Sequence, residues 1–463
     1  MSSFPSILKT PLLHQIPPKP CKGGHNKLHD RRSLARSKSR ADDELRNFRR
    51  VLRYLCADLT CFRLPVSATI LSWIAFCVVA VVIPITFGFL LSRLRPYDWA
   101  VQIPLTLASG LAFNSLNTLS RKYGLRRSLF LDQLVKDSTK VQVEYTKLLH
   151  KALLTLVIRL LLPVATVDAF YKAYWYYCTL TDPSTAAQVP QSLTTPWMAP
   201  IMFTVELASF MYRVSVLFLD CVLFKLNCAL QVLRMEDFTK GFHEEPDVVV
   251  TLGHHIRLRK QLRIISHRHR LFIISFLITT TASQFWTLLM TTRPHAQFNL
   301  FVGGELFLGG ACLVGGILMC LGSAACITHK AQALTSHAAT WHACATINPC
   351  EPSMAADVEA NAATAPPTPT AFPTVDPTET ITVAEGDECT GEDDDWFLEL
   401  DKLLKTTTTA ISYQKRQAIV TYLENNKGGI TVYGFVVDRT WLHALFMIEF
   451  SLVMWLLGKT VGI

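Results

Sequence analysis

The chain has 463 residues, 50% of them hydrophobic and only 17% charged, where soluble domains carry about 25% charged residues. That composition excludes a disordered protein and argues against a soluble enzyme, and 13 cysteines without a CxxC pair exclude a disulfide framework and a zinc ribbon. The net charge of +9 would suit nucleic acid, but the placement of the charges points to a lipid bilayer instead.

Residues 1–41 are rich in Pro, Ser, Lys and Arg and read as a disordered basic tail. Residues 42–65 read as an amphipathic helix ahead of the membrane, with Leu45, Phe48, Leu52 and Leu55 near one face and arginines elsewhere. A bilayer core needs roughly 20 apolar residues in a helix. Seven stretches meet this: Val66–Leu91, Trp99–Leu119, Ala152–Cys178, Pro200–Leu223, Leu271–Met290, Leu300–Ile327 and Gly434–Leu457. The first six lie in residues 66–347 and are expected to extend into the cytosol. Leu258, Leu262, Ile265 and Phe272 form one helical stripe running into the fifth, and Leu226 and Leu230 continue the fourth. Residues 348–395 read as a disordered, acidic, Ala/Thr/Pro-rich insertion, and 396–427 as a cytosolic amphipathic helix containing Leu400, Leu403, Leu404 and Ile411. Gly428 and Gly429 break that helix, and residues 428–463 carry the last span, the expected pore helix.

Lys and Arg set the orientation. Under this seven-span reading, 37 of them lie on the side of the N-terminus and 4 on the other. The N-terminus is therefore expected inside and the C-terminus outside. The sequence thus predicts an all-α, multi-pass integral membrane protein, in the plasma membrane or an endomembrane, with an intracellular anchor of helix extensions.

No P-loop, HExxH, GxSxG or dinucleotide fingerprint is present, so no catalytic residue, metal ligand or cofactor is assigned. His254, His255, His267 and His269 read as a solvated face of a basic helix, and the glycines of the sixth stretch as close-packing positions. The informative residues are charges inside the spans, each costly in lipid. Glu206, Arg213 and Asp220 are seven apart, on one face of the fourth stretch, and Asp168 and Lys172 are four apart in the third. Arg159 is placed to meet Asp220, and Lys172 to meet Glu206. Arg159, Asp168, Arg213 and Asp220 are read as structural charges. Glu206, Lys172, Tyr171 and Trp175 are the residues of a candidate ligand cavity open to the outside. In the last stretch Thr431, Asp438, Leu442, Leu445, Glu449 and Val453 fall close to one stripe, with Glu449 as candidate acidic ring, Asp438 at the inner mouth and Leu442, Leu445 and Val453 as gate.

The stretches RRVLRYLCADLTC, LSRKYGLRRSLFLD, VLFKLNCALQVLRMEDF, LRKQLRIISHRHR, TASQFWTLLMTT, CITHKAQALTSHAATWHACAT and GGITVYGFVVDRTWLHALFMIEFSLVMWLLGKTVGI resemble the plant gustatory-receptor-like family. Its members were first catalogued as a domain of unknown function and are distant relatives of insect odorant and gustatory receptor ion channels. The resemblance covers 46–463 apart from the acidic insertion. It implies seven helices, a homotetramer, a central pore lined by the last helix, and gating by a small-molecule ligand of unknown identity. One departure stands out: Thr421 and Tyr422 are followed by Leu-Glu-Asn rather than by the apolar run and Gln-Phe that close insect gustatory receptors. The first reading is a ligand-gated cation channel. The alternatives are a secondary transporter and a non-conducting signalling or scaffold protein.

Overall fold

The structure is a computed structural model and describes residues 46–55, 66–91, 95, 97–131, 133–134, 137–181, 197–241, 248–291, 300–347, 413–426 and 428–440, with scattered positions up to 454. The basic tail, the acidic insertion and the run Leu400–Ile411 lie outside the described residues, as do Leu442, Leu445, Glu449 and Val453.

The described chain is almost wholly helical. Helix α1 (46–54) puts Phe48 and Leu52 at 0% exposure, and Tyr212 of the bundle donates to the Leu55 carbonyl. Its apolar face thus packs on protein. Helix α2 runs from Val66–Cys77 through a π-helical segment, Val78–Val82, into Ile83–Leu90. Helix α4 does likewise, from Thr139–Leu154 through Thr155–Leu161 into Leu162–Thr181. A proline, Pro84 or Pro163, stands just after each wide segment. Proline lacks the N–H and crowds the carbonyl four residues back, and a wider turn relieves that crowding inside a continuous helix. Between them lie α3 (Asp98–Lys122) and a single turn, Gly124–Ser128.

Helices α5 (Met198–Gly241), α6 (Val248–Thr291) and α7 (Leu300–Ile347) have 44, 44 and 48 residues. At 1.5 Å per residue each is about 65–70 Å long, twice the roughly 30 Å hydrocarbon layer. Each is longer than a single crossing needs, and the apolar faces of the surplus turns pack on protein. Leu226, Leu230, Leu258, Leu262 and Ile265 are buried, and Leu334 and Ala338 pack on Ile419 and Leu423 of α8 (Tyr413–Asn425). Arg234 is clamped by Asp137 Oδ2 at 2.6 Å and Gln261 Oε1 at 2.6 Å, which ties α5 to α6 and to the loop before α4.

Among the described residues, five helices are long and apolar enough to cross a membrane: α2, α4, α5, α6 and α7. Helix α3 falls short because it carries Gln102, Asn114, Asn117 and several hydroxyls, and it packs among the others, with Leu105, Ala108, Ala112 and Phe113 at 0% exposure. Helix α5 is the centre of the bundle: 78% of its most apolar window is buried, against 11% for α4.

The last stretch departs from the sequence reading at its start. Residues 431–436 form a two-stranded hairpin, β1 (Thr431–Val432) paired antiparallel with β2 (Phe435–Val436), not the first turns of a helix. Tyr433 and Gly434 turn through φ of 49° and 87°, left-handed angles that end any helix begun at the glycine pair. The hairpin docks on α6 and α7, where Thr431 N–H donates to Ser266 Oγ and Thr328 Oγ1 donates to the Val437 carbonyl. The described positions from 439 to 454 are helical.

Candidate functional site

Four segments bring charge to the end of the bundle opposite the long extensions. Arg95 precedes α3, Lys172 and Asp168 lie one turn apart near the end of α4, Glu206 lies near the start of α5 and Glu305 near the start of α7. Arg95 Nη1 bonds Glu206 Oε1 at 2.6 Å and Glu305 Oε2 at 3.3 Å, with Asp98 Oδ2 at 3.8 Å. Lys172 Nζ lies 3.1 Å from Asp168 Oδ2, 3.6 Å from Glu305 Oε1 and 3.9 Å from Glu206 Oε1. Gln102 Nε2 donates to Glu305 Oε1 and Tyr176 Oη to Glu206 Oε2. None of the charged groups is more than 7% exposed. Burial works against the charge on Arg95, but Glu206, Asp98 and Glu305 outweigh it and hold its pKa above the ordinary arginine value.

The aromatic crowd at the end of α4 divides by face. Tyr174 and Tyr177 are 54% and 67% exposed, as membrane-belt residues are. Trp175 is buried with the Arg95 guanidinium 3.7 Å above its ring, and Tyr171 packs against Gly304 of α7.

Of the residues expected to line a ligand cavity, Glu206, Lys172 and Trp175 do converge, with Tyr171 beside them. Glu206, Lys172 and Trp175 are buried in this ion network or against it, and Tyr171 is half-buried. Asp168 and Lys172 pair directly. Arg159 and Asp220 do not pair: Arg159 is exposed on the outer face of the peripheral α4, while Asp220 is fully buried and accepts from Ser115 Oγ at 3.3 Å. Arg213 donates to Thr106 Oγ1 and the Ser209 carbonyl. Asp438 lies ahead of the last helix, accepting from the Arg439 N–H and from Gln332, so it shares no helical stripe with Thr431. The histidines are not one solvated face either, since His255 and His269 are buried against Tyr422 and Phe224.

Sequence reasoning missed Glu305 and Arg95. Glu305 was legible by the rule that flagged Glu206, a carboxylate inside an apolar stretch. Arg95 was not, because nothing local says that the connection between α2 and α3 folds inward.

A family model described as "Protein of unknown function (DUF3537)" matches residues 43–448. The chain belongs to the DUF3537 family. No curated protein matches this DUF3537 chain by sequence. Its fold is similar to that of the insect olfactory receptor OR5 from Machilis hrabei in complex with eugenol, with a TM-score of 0.56 at 11% identity over 90% of this chain and 99% of that one. A second structure of the same receptor gives 0.49 at 12% identity over 90% and 97%. At such identities the likeness is one of fold.

Proposed function

We propose that this DUF3537 protein is a chemoreceptor-like, ligand-gated cation channel. In this reading it has seven spans, a cytosolic N-terminus and an external C-terminus, and it forms a homotetramer whose last helices line the pore. The observation that carries the reading is the fold: nearly the whole of an insect olfactory receptor is matched. Two features add support. The buried charge cluster sits at the end of the bundle away from the basic extensions, where a ligand arriving from outside would meet it. The hairpin β1–β2 links α6 and α7 to the last helix, so a shift of those helices is passed mechanically to the pore. Glu449 supplies the acidic ring, and Leu442, Leu445 and Val453 the gate.

Reversal potential of the reconstituted protein in a planar bilayer under a potassium chloride gradient tests this. The expected result is ligand-dependent cation selectivity that Glu449→Gln diminishes while assembly persists. A protein that assembles yet passes no current with any ligand tried is a scaffold, and the channel reading fails.

A further inference from the structure

The exposed face of α6 changes character at one point. Lys260, Arg263, His267 and Arg270 recur at steps of three and four residues and so share a face. The first three are exposed and Arg270 is half-buried. Four residues past His267 the same face turns apolar, with Leu271 64% and Ile278 61% exposed. Over its 44 residues α6 carries six Lys or Arg and no carboxylate.

Neighbouring elements do not neutralise this face. Asp137 holds Arg234, Glu236 holds Lys330, and the half-buried Asp438 accepts from the Arg439 N–H and from Gln332. Among the described residues no carboxylate lies within ion-pair distance of Arg263 or Arg270, the exposed Glu424 of α8 included.

The hairpin β1–β2 sits at the same switch. Thr431 N–H on Ser266 Oγ places it five residues before Leu271, about 7.5 Å along the axis of α6. Its tip faces outward: Tyr433 is 53% and Phe435 69% exposed. The Arg270 guanidinium lies 5.3 Å from the Tyr433 ring, which joins the tip to the basic face. Exposed aromatic side chains and uncompensated cations, at the level where a helix face passes from apolar to charged, match the headgroup layer of a bilayer. We propose that this surface docks anionic phospholipids, with their phosphates on Arg263 and Arg270 beside His267 and their upper acyl carbons on Tyr433 and Phe435. A zwitterionic lipid brings its own cation and gains little from the arginines. A free phosphate has nothing to lay on the tip. The inference rests on the membrane-spanning part of the functional reading and not on conduction. Because the hairpin leads into the last helix, the lipid would hold that junction against α6.

The test uses the full chain in detergent micelles, titrated with phosphatidylglycerol, phosphatidylcholine or sodium phosphate at matched ionic strength. Lipid retention and oligomeric mass are read by native mass spectrometry, and stability by the thermal unfolding midpoint. Phosphatidylglycerol should be retained and should raise the midpoint saturably, and the other two should not. Arg263→Gln, a change at an exposed position, should weaken retention about fivefold, the scale of one basic residue at an anionic surface. Phe435→Ser should weaken it too and leave the oligomeric mass unchanged. Arg126→Gln with Arg127→Gln, two exposed arginines of the turn Gly124–Ser128, should leave retention as it was. Equal retention of phosphatidylcholine, equal stabilisation by sodium phosphate, or an equal loss from the Arg126 and Arg127 changes overturns the proposal. So does a Phe435→Ser chain that changes mass and keeps its lipid, since the tip then belongs against a second copy of the chain. Each of these outcomes leaves the receptor reading standing.

Discussion

At the residue scale, the buried cluster makes an asymmetric prediction. Removing one member of a buried ion pair strands the other, which costs about 3–5 kcal/mol. Arg95 is bound to Glu206 and Glu305, lies near Asp98 and is fully buried, so Arg95→Leu takes the nearest cation from three carboxylates. Its unfolding free energy should fall by about that amount. Glu305→Gln leaves Arg95 on Glu206 and Lys172 on Asp168 and keeps an acceptor for Gln102, so its loss should be smaller, about 1–3 kcal/mol. Chemical denaturation of the two variants in the same detergent checks the ordering, and equal losses would show that Glu305 holds the cluster together as firmly as Arg95 does. Half of this site was legible because a charge in an apolar stretch is conspicuous alone. The rest was hidden because pairing is a three-dimensional matter. Glu206 is 34 residues from Lys172 but 111 from Arg95, its shortest contact.

At the element scale, the helices themselves were the most legible feature, since hydropathy and the 3.6-residue period both act locally. The extensions of α5 and α6 followed from the stripes at Leu226, Leu230, Leu258 and Ile265, all buried in the bundle. The hairpin after α8 was not legible, because its few residues alternate no more clearly than the apolar helix beyond them. Helix α7 divides its glycines into two kinds, and this gives a prediction. A Cβ on Gly309 would run into Val101 of α3, and one on Gly316 would lie 3.0 Å from Phe276. Val101 is β-branched, confined to few rotamers and 2% exposed, so it has nowhere to yield. Gly315 and Gly322 have nothing within 4 Å. Gly309→Ala should therefore destabilise by about 1–3 kcal/mol through overpacking, whereas Gly315→Ala should be neutral or stabilising by about 0.5–1 kcal/mol. Thermal melts of the two single variants decide it, and equal shifts would mean that α7 does not approach α3 as closely as described.

At the scale of the whole molecule, the helices differ in how much of each the chain can cover by itself. Helix α5 is enclosed, α4 presents Val157, Ile158, Val167 and Phe170 outward, and the described residues of the last helix are exposed without exception. Phe446, Met447, Phe450 and Met454 are 50–62% exposed. A bilayer satisfies such a surface on a single helix, but it gives no account of Glu449, which the sequence puts in the same apolar stretch, since a carboxylate in hydrocarbon calls for water or a partner. On the proposed channel reading, copies of the helix around an axis would supply both. Sequence alone does not reach the assembly, because a packing partner from another chain leaves no trace in one chain's periodicity. The expected outcome is a tetramer in which this helix lies against its symmetry mates. Met447→Cys should form inter-subunit disulfides under mild oxidation, and phenylalanine-to-serine changes at 446 and 450 should shift the mass in nanodiscs from tetramer toward monomer. The unsubstituted chain, with its own cysteines, is the control. A monomeric mass for the unsubstituted protein, or a Met447→Cys chain that gains no dimer band over that control, places the last helix in lipid and removes the axial pore.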